Sequence, residues 1–162
     1  MHPDLDPNFL LAKSIEKPRR GTYTLVGHTI AVVKAVTTLV DTLGNRLISQ
    51  FGLQCNLPYL KATARLAAYL HDWGKANDHF QMVVREKRNP LKNPQLIRHE
   101  VASVLLAYCY KEWLQQYDGD FFAALAAAGG HHIKFGGNVR QGNTGEVGEI
   151  RDNSGSDRIY LY

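Results

Sequence analysis

The stretch Leu70-His71-Asp72-Trp73-Gly74-Lys75 decides how the rest of the chain is interpreted. An apolar, alanine-rich segment at residues 59–70 precedes it and predicts a buried helix that ends on an imidazole beside a carboxylate. We expect Gly74 to stop that helix. Burying a histidine beside an aspartate is costly unless the two are paired or hold a metal. The stretch therefore indicates either an ion-paired or capping couple, or part of a metal site.

The composition is that of an ordinary globular protein of one domain. The 162 residues are 44% hydrophobic and 21% charged, with a net charge of +4. No segment approaches the roughly 18 apolar residues of a membrane span, and the N-terminus lacks the features of a secretory signal. Cys55 and Cys109 match no metal motif, and Cys109 is expected in the core. We therefore expect a cytoplasmic protein with no membrane attachment, whose charge tolerates a polyanionic partner.

The first helices are predicted from apolar residues that recur at three- and four-residue steps. One helix is expected from about residue 23 to Gly44, and a second helical piece at 45–51. The residues expected to form the buried stripe of the first helix are Val26, Ile30, Val33, Val36, Val40 and Leu43. His28 opens this helix beside the stripe. Upstream, residues 9–14 are expected to dock on the body of the protein, within an N-terminal extension at 1–22.

The second half of the chain is also predicted to be helical, up to residue 132. Asn77 is a candidate N-cap for a short helix, and a long helix is expected at 95–116. The residues expected on the core side of the long helix are Val101, Val104, Leu105, Tyr108 and Trp113. Asp118 or Asp120 is expected to cap a last helix, which is apolar on all sides.

The tail differs from the rest because it is rich in glycine and polar residues. Residues 136–162 predict a long loop or a small β-hairpin, partly disordered. The sequence ends there without a terminal cap, so we expect it to be truncated from a longer chain. Residues 1–162 are accordingly predicted to form a single all-α helical bundle with this loop or hairpin at its C-terminus.

Five histidines and one aspartate fall at or near the ends of four predicted helices. These residues are His28, His71, Asp72, His99, His131 and His132. Helix ends in a compact bundle can meet at one cavity, and adjacent helical residues point about 100° apart, so each pair can line two sides of a pocket. His99 stands at a helix N-terminus, where the helix dipole favours its neutral form.

This donor set indicates transition metals. Imidazole with carboxylate suits Mn, Fe, Ni, Co or Zn, and the set holds too many nitrogens for a Mg or Ca cage. Six ligands exceed the three or four that usually hold a single catalytic ion. The pattern therefore predicts two metals bridged by Asp72.

The order of these histidines resembles the HD superfamily of metal-dependent phosphohydrolases. The fuller match comprises residues 70–77, Phe80-Gln81, Arg98-His99-Glu100 and Gly130-His131-His132. It is similar to the HD nuclease domain of the CRISPR type I effector helicase–nuclease, and the resemblance spans roughly residues 10–135. The related HD domain fused to the large subunit of a CRISPR effector complex fits the sequence equally well.

The resemblance implies a DNA nuclease with two divalent transition metals, by preference Mn, Fe, Ni or Co, with Mg or Zn as alternatives. The implied ligands are His28, His71 and Asp72 for one metal, and Asp72, His99, His131 and His132 for the other. Asp72 and Lys75 would be the catalytic residues, with Lys75 at the scissile phosphate. The family completes the first metal site with an aspartate on a later helix. Asp152 and Asp157 stand in the tail, a poor context for a rigid ligand.

The function implied is cleavage of single-stranded DNA in CRISPR-mediated antiviral defence. The implied partners are single-stranded DNA, the CRISPR effector complex and a helicase domain or subunit, fused or separate. The residues expected to contact nucleic acid are Lys75, Arg85, Lys87, Arg88 and Lys92, although an ordinary solvated loop explains the last four as well.

Two other functions fit the sequence. One is an HD phosphohydrolase acting on nucleotides or cyclic dinucleotides, and the other is a non-catalytic HD-fold module that binds nucleic acid or a partner. The doubled His131-His132 and the Phe80-Gln81 extension favour the nuclease. The sequence shows no later helix with the aspartate that completes the family's first metal site, and this favours the non-catalytic module.

Overall fold

The computed structural model describes residues 9–14, 23–85 and 97–132, and the fold of these residues is helical. The elements are α1 (Leu25–Phe51), α2 (Leu57–Leu70), a 3₁₀ turn (Trp73–Lys75), α3 (Asp78–Val84), α4 (His99–Cys109), α5 (Lys111–Leu114) and α6 (Phe121–Gly130). The only β pairing in these ranges is an isolated bridge between Leu11 and Thr24. The prediction of an all-α bundle is confirmed, while the predicted loop or hairpin at 136–162 lies outside the described residues.

The α1 helix is one element of 27 residues, so the prediction of a break at Gly44 was wrong. Gly44 is buried against α2, where an added Cβ would collide with the Leu57 side chain. The glycine therefore marks a close contact between two helices rather than a helix end. Lys61 of α2 also pairs with Asp41 of α1 at 2.6 Å.

The apolar stripe of α1 is less buried than the sequence predicted. Val40 is 5% exposed, but Ile30 is 51% exposed among the described residues. By length and composition alone α1 could cross a membrane, contrary to the expectation that no segment is apolar over such a length, although core helices of soluble proteins and signal sequences pass the same test. Its contacts with α2 at Gly44 and Asp41 are those of a helix packed in a bundle.

The core lies where α2, α4, α5 and α6 meet. Its buried residues are Leu66, Leu70, Ala107, Leu114, Phe121, Ala124 and Ala128. The predicted helix at 95–116 is broken at Tyr110, which separates α4 from α5. Asp120, not Asp118, caps α6, because its Oδ1 accepts a hydrogen bond from the Ala123 amide at 2.9 Å. Only one face of α6 is buried, and Phe122 on the other is 62% exposed, so this helix is apolar on all sides, as predicted, but not buried on all sides.

The buried face of α4 also differs from the prediction. Tyr108 and Cys109 are exposed, whereas Glu100, Ser103 and Ala107 are buried. This helix turns a small and polar face inward, because that face contacts the 3₁₀ turn that follows α2. Trp113, also expected in the core, is 43% exposed on α5.

Residues 9–14, named here the N-terminal strap, dock on the bundle as predicted. Leu11 and Ala12 are each 4% exposed. The Ala12 amide donates to the Tyr23 carbonyl at 2.8 Å, and the Leu25 amide donates to the Leu10 carbonyl at 2.8 Å. The strap therefore holds the segment that leads into α1.

Gly74 is the point at which the 3₁₀ turn lies against α4. Its amide donates to Ser103 Oγ at 2.7 Å, and Ser103 Oγ donates to the His71 carbonyl at 3.0 Å. An added Cβ would collide with the His99 carbonyl oxygen and lie 2.7 Å from the Ser103 amide nitrogen. The α2 helix already ends at Leu70. Gly74 is therefore required for close packing and not, as predicted, to stop the helix.

We predict that Gly74→Ala destabilises the fold by about 1–3 kcal/mol or more. The added methyl group would overlap backbone atoms of His99 and Ser103, which cannot move without shifting α4. Chemical denaturation of both proteins measures this difference. Gly129→Ala is the matched control, since its Cβ would meet only the Val104 side chain, at 3.0 Å. A Gly74→Ala protein as stable as the wild type would contradict the proposed role of this contact.

Candidate metal centre

Asp72 lies at the centre of the histidine cluster, and its side chain is 1% exposed. Its Oδ2 atom lies 3.3 Å from His28 Nε2 and 3.2 Å from His71 Nε2. Its Oδ1 atom lies 3.4 Å from His99 Nε2 and 3.6 Å from His131 Nε2. The two carboxylate oxygens thus face two different pairs of imidazoles.

Two sets of three side chains could each hold an ion, because their ligand atoms lie within 4.8 Å of one another. The first subsite comprises His28, His71 and Asp72, and the second subsite comprises His99, His131 and His132. His132 is exposed, with its ring centroid 4.2 Å from that of His131 and 5.0 Å from that of His99. The structure thus brings together all six residues that the sequence singled out, and their role as ligands stays a prediction.

The buried polar atoms at this centre lack hydrogen-bond partners. This is true of both oxygens of Asp72 and of the Nε2 atoms of His99 and His131. Lys75 Nζ lies 2.8 Å from Asp72 Oδ2 and forms an ion pair with it, but without hydrogen-bond geometry. Buried polar groups are nearly always paired, and an unpaired one is costly. Converging acceptors that lack hydrogen bonds are the arrangement expected where a cation binds.

The separations between these acceptors fit ligands of a shared ion. Transition metals bind imidazole nitrogen and carboxylate oxygen at about 2.0–2.2 Å, so adjacent ligands at 90–109° lie about 2.8–3.6 Å apart. The four nitrogen–oxygen distances around Asp72 run from 3.2 to 3.6 Å. The donor set therefore fits metal ions on both chemistry and spacing.

Two of the imidazoles are oriented by the helices that they terminate. His71 is the C-cap of α2, and its Nδ1–H donates to the Ala68 carbonyl at 2.6 Å. His131 is the C-cap of α6, and its Nδ1–H donates to the Ala128 carbonyl at 2.5 Å. Because a carbonyl can only accept, each Nδ1 carries a proton, and in the neutral imidazole each Nε2 keeps its lone pair. A carbonyl partner of this kind commonly fixes a metal-binding histidine.

Burial keeps several of these imidazoles neutral. Burial lowers the pKa of His99 to about 4, although the nearby Glu100 carboxylate raises it. Burial is also the main reason why the pKa values of His28 and His132 are lowered. These three residues are therefore neutral at neutral pH, which is the form that a metal requires. The sequence predicted a neutral His99, but from the helix dipole and not from burial.

The pKa values of Asp72 and His131 shift in the direction opposite to the one that burial alone would cause. Burial raises the pKa of Asp72, but nearby His131, His71 and Lys75 outweigh it and hold this pKa well below its usual range. Burial lowers the pKa of His131, but interactions with Asp72 and the Ala128 carbonyl outweigh it and raise this pKa. The carboxylate is therefore ionised and attracts positive charge.

Glu100 supports the second subsite and was given no role from the sequence. It is 4% exposed, and its Oε2 atom lies 3.3 Å from His99 Nδ1, while Arg98 pairs with its other oxygen. A carboxylate on the outer nitrogen of a histidine favours the tautomer that leaves Nε2 free. The available signal was an acidic residue directly after His99 at the start of a buried helix.

The predicted nucleic-acid contacts are only partly described. Lys75 Nζ lies 5.4 Å from the centre of the Phe80 ring and beside Asp72, so its charge points into the site. Arg85 stacks on the Phe9 ring at 4.5 Å and donates to the Phe9 carbonyl, so it is engaged within the protein. The remaining predicted contacts, Lys87, Arg88 and Lys92, lie outside the described residues, as do Asp152 and Asp157.

Comparison with known proteins identifies the family of this chain. The family described as "Cas3, HD domain" matches residues 11–152. A "Putative CRISPR-associated nuclease/helicase Cas3" from Myxococcus xanthus (strain DK1622) is 40% identical over 134 residues, which cover 78% of this chain and 18% of that relative. The chain thus spans less than a fifth of the relative's length. No solved structure gives a significant match. Because the family match covers most of the sequence, this chain belongs to the Cas3 HD-domain family.

Proposed function

We propose that this chain is a metal-dependent nuclease that cleaves single-stranded DNA in CRISPR-mediated defence. Its family supports CRISPR-associated HD nuclease chemistry. The observation that carries the proposal is the buried Asp72 carboxylate, whose two oxygens lack hydrogen bonds and face two different pairs of imidazoles. An arrangement of this kind suits two metal ions that share one carboxylate.

The two subsites would hold the metals with different numbers of ligands. The first subsite supplies His28, His71 and Asp72 Oδ2, and the second supplies Asp72 Oδ1, His99, His131 and His132. Such nitrogen-rich sets favour Mn, Fe, Ni or Co, with Zn or Mg as alternatives. Two ions, when bound, activate water at neutral pH and stabilise the charge that develops on the phosphate.

The protein's own residues would orient the phosphodiester group. Asp72 fixes the centre of the site, and Lys75 keeps its ammonium group there through the ion pair at 2.8 Å and the Phe80 ring. The Lys75 side chain is 13% exposed, so little solvent screens its charge. A positive charge held in place where negative charge develops lowers the barrier to phosphodiester cleavage.

The partners proposed are a helicase and the CRISPR effector complex. The Myxococcus relative is named a nuclease/helicase, and this chain aligns with 18% of it. A helicase region, fused or separate, would deliver a single strand to the site. The protein would act in the cytoplasm.

We predict that metal binding is stepwise, because the second subsite offers four ligands with Asp72 and the first offers three. Isothermal titration with Mn²⁺ or Ni²⁺ should show that His131→Ala loses the tight ion, whereas His28→Ala loses only the weak one. His79→Ala, which changes a histidine outside both subsites, is the control. Two equally tight ions in the wild type would contradict this prediction and would indicate a further ligand from a segment such as the one that holds Asp152 and Asp157.

We predict that the protein cuts single-stranded DNA about tenfold or more faster than blunt duplex, because a duplex must first unpair, which costs a few kcal/mol. Cleavage of matched oligonucleotides with Mn²⁺ and no helicase measures this ratio, and a chelator provides the metal-free control. Equal cleavage of both substrates would contradict a site that acts on an unpaired strand. Hydrolysis of nucleotides or cyclic dinucleotides without DNA cleavage would instead support the phosphohydrolase alternative.

A further inference from the structure

Gln81 lies outside both metal subsites, but its side-chain amide joins three segments of the chain. Oε1 accepts hydrogen bonds from the Leu11 amide at 3.0 Å and from Arg85 Nη1. Nε2 donates to the Leu11 carbonyl at 2.9 Å and to the Lys75 carbonyl at 2.8 Å. The residue is 7% exposed. Its side-chain amide therefore forms all of its hydrogen bonds with the strap, with Arg85 at the end of α3 and with the end of the 3₁₀ turn.

The strap continues this connection to His28. Leu11 bridges Thr24, the N-cap of α1. Thr24 Oγ1 accepts from the Gly27 amide at 3.2 Å, and the Thr24 carbonyl accepts from the His28 amide at 2.9 Å. The strap thus fixes the first turn of α1, and Gln81 fixes the strap.

The other end of the connection reaches Asp72. The Lys75 amide donates to the Asp72 carbonyl at 2.9 Å, and Lys75 Nζ pairs with Asp72 Oδ2. The Lys75 carbonyl is in turn held by Gln81. Both His28 and the turn from Asp72 to Lys75 are therefore tied to one amide group, whereas the imidazoles of the second subsite are supplied by α4 and the end of α6.

We infer that Gln81 is a positioning residue for the first subsite. It sets the separation between the first turn of α1 and the turn from Asp72 to Lys75, and thereby the distance of His28 from Asp72 Oδ2. The metal-binding part of this inference rests on the proposed function, while the effect on the position of α1 does not. The three imidazoles of the second subsite lie on α4 and at the end of α6, which this amide does not contact, and only the shared Asp72 links that subsite to Gln81.

The first test replaces Gln81 by Glu, which has nearly the same shape but no N–H groups. The variant loses both N–H donors of the amide, and one of its carboxylate oxygens then faces the carbonyl oxygens of Leu11 and Lys75. Gln54→Glu is the matched control, because it makes the same change of charge at an exposed residue whose Nε2 donates to the Gly52 carbonyl. Gln54 lies beyond the far end of α1 at Phe51, and that end is roughly 35 Å along the helix axis from His28.

In titrations with Mn²⁺, we expect Gln81→Glu to weaken the ion at the first subsite about tenfold or more, in line with other residues that orient metal ligands. The tight ion at the second subsite shares Asp72 but has three further ligands on α4 and α6, so we expect it to be weakened clearly less, and Gln54→Glu should change neither ion. Gln81→Met removes all four hydrogen bonds without adding charge, and we expect it to show the same selectivity.

Hydrogen exchange of the metal-free proteins provides a second measurement. We expect the amides of Leu25, Gly27 and His28 to exchange faster in both Gln81 variants, while the amides of α6 keep their protection. This result does not require that any metal binds. A wild type that binds no metal would therefore refute the proposed function, and hydrogen exchange would still decide the role of Gln81.

Three results would overturn the inference. One is unchanged exchange at the start of α1 in both Gln81 variants. Another is an equal weakening of both ions with a general loss of protection, which would make Gln81 an ordinary structural residue. The third is faster exchange at α1 with unchanged affinity for the weaker ion.

Discussion

The Asp72 carboxylate is buried where α1, α2, α4 and α6 meet, and each of these helices provides an imidazole at or near one of its ends. A buried and ionised carboxylate needs compensating positive charge, since an unpaired one costs several kcal/mol. In the described residues Lys75 supplies the ion pair, and yet both carboxylate oxygens lack hydrogen bonds. The buried carboxylate therefore destabilises the protein when no cation is bound, and its charge favours the binding of a cation.

The helices reach this centre because small and polar residues line their contacts. Gly74 allows the 3₁₀ turn to lie against the first turns of α4, and Ser103 hydrogen-bonds both Gly74 and the His71 carbonyl. A larger residue at either position would separate Asp72 from the start of α4, which bears His99. The metal-binding geometry is therefore a consequence of backbone packing as much as of the ligands themselves.

Much of the fold and site could be predicted from local sequence patterns. The histidines at helix ends, the Asn77 cap of α3 and the docked strap were all visible as short-range signals. Such signals report on one element and its immediate neighbours. These short-range signals were also enough to identify the family, because the residues of each motif lie close together in the sequence.

Contacts between distant segments were not predictable in this way. Gly74 and Gly44 looked like helix ends, but both are contact points whose partners lie elsewhere in the chain. The prediction of which face of α4 is buried was wrong, because hydrophobic periodicity cannot identify a buried serine such as Ser103, whose hydrogen-bond partner is 29 residues away. Gln81 bonds a residue 70 positions away, and only the structure shows this.

The central claim is that the two oxygens of Asp72 serve two metal subsites at once. The most direct measurement is the metal content of Asp72→Asn after dialysis against Mn²⁺, with circular dichroism to confirm that the helices are retained. Asparagine keeps the shape of the side chain but removes its charge and one of its two oxygen ligands. The account predicts a folded protein in which both ions are lost or weakened together. A folded Asp72→Asn protein that still holds two ions with wild-type affinity would contradict it.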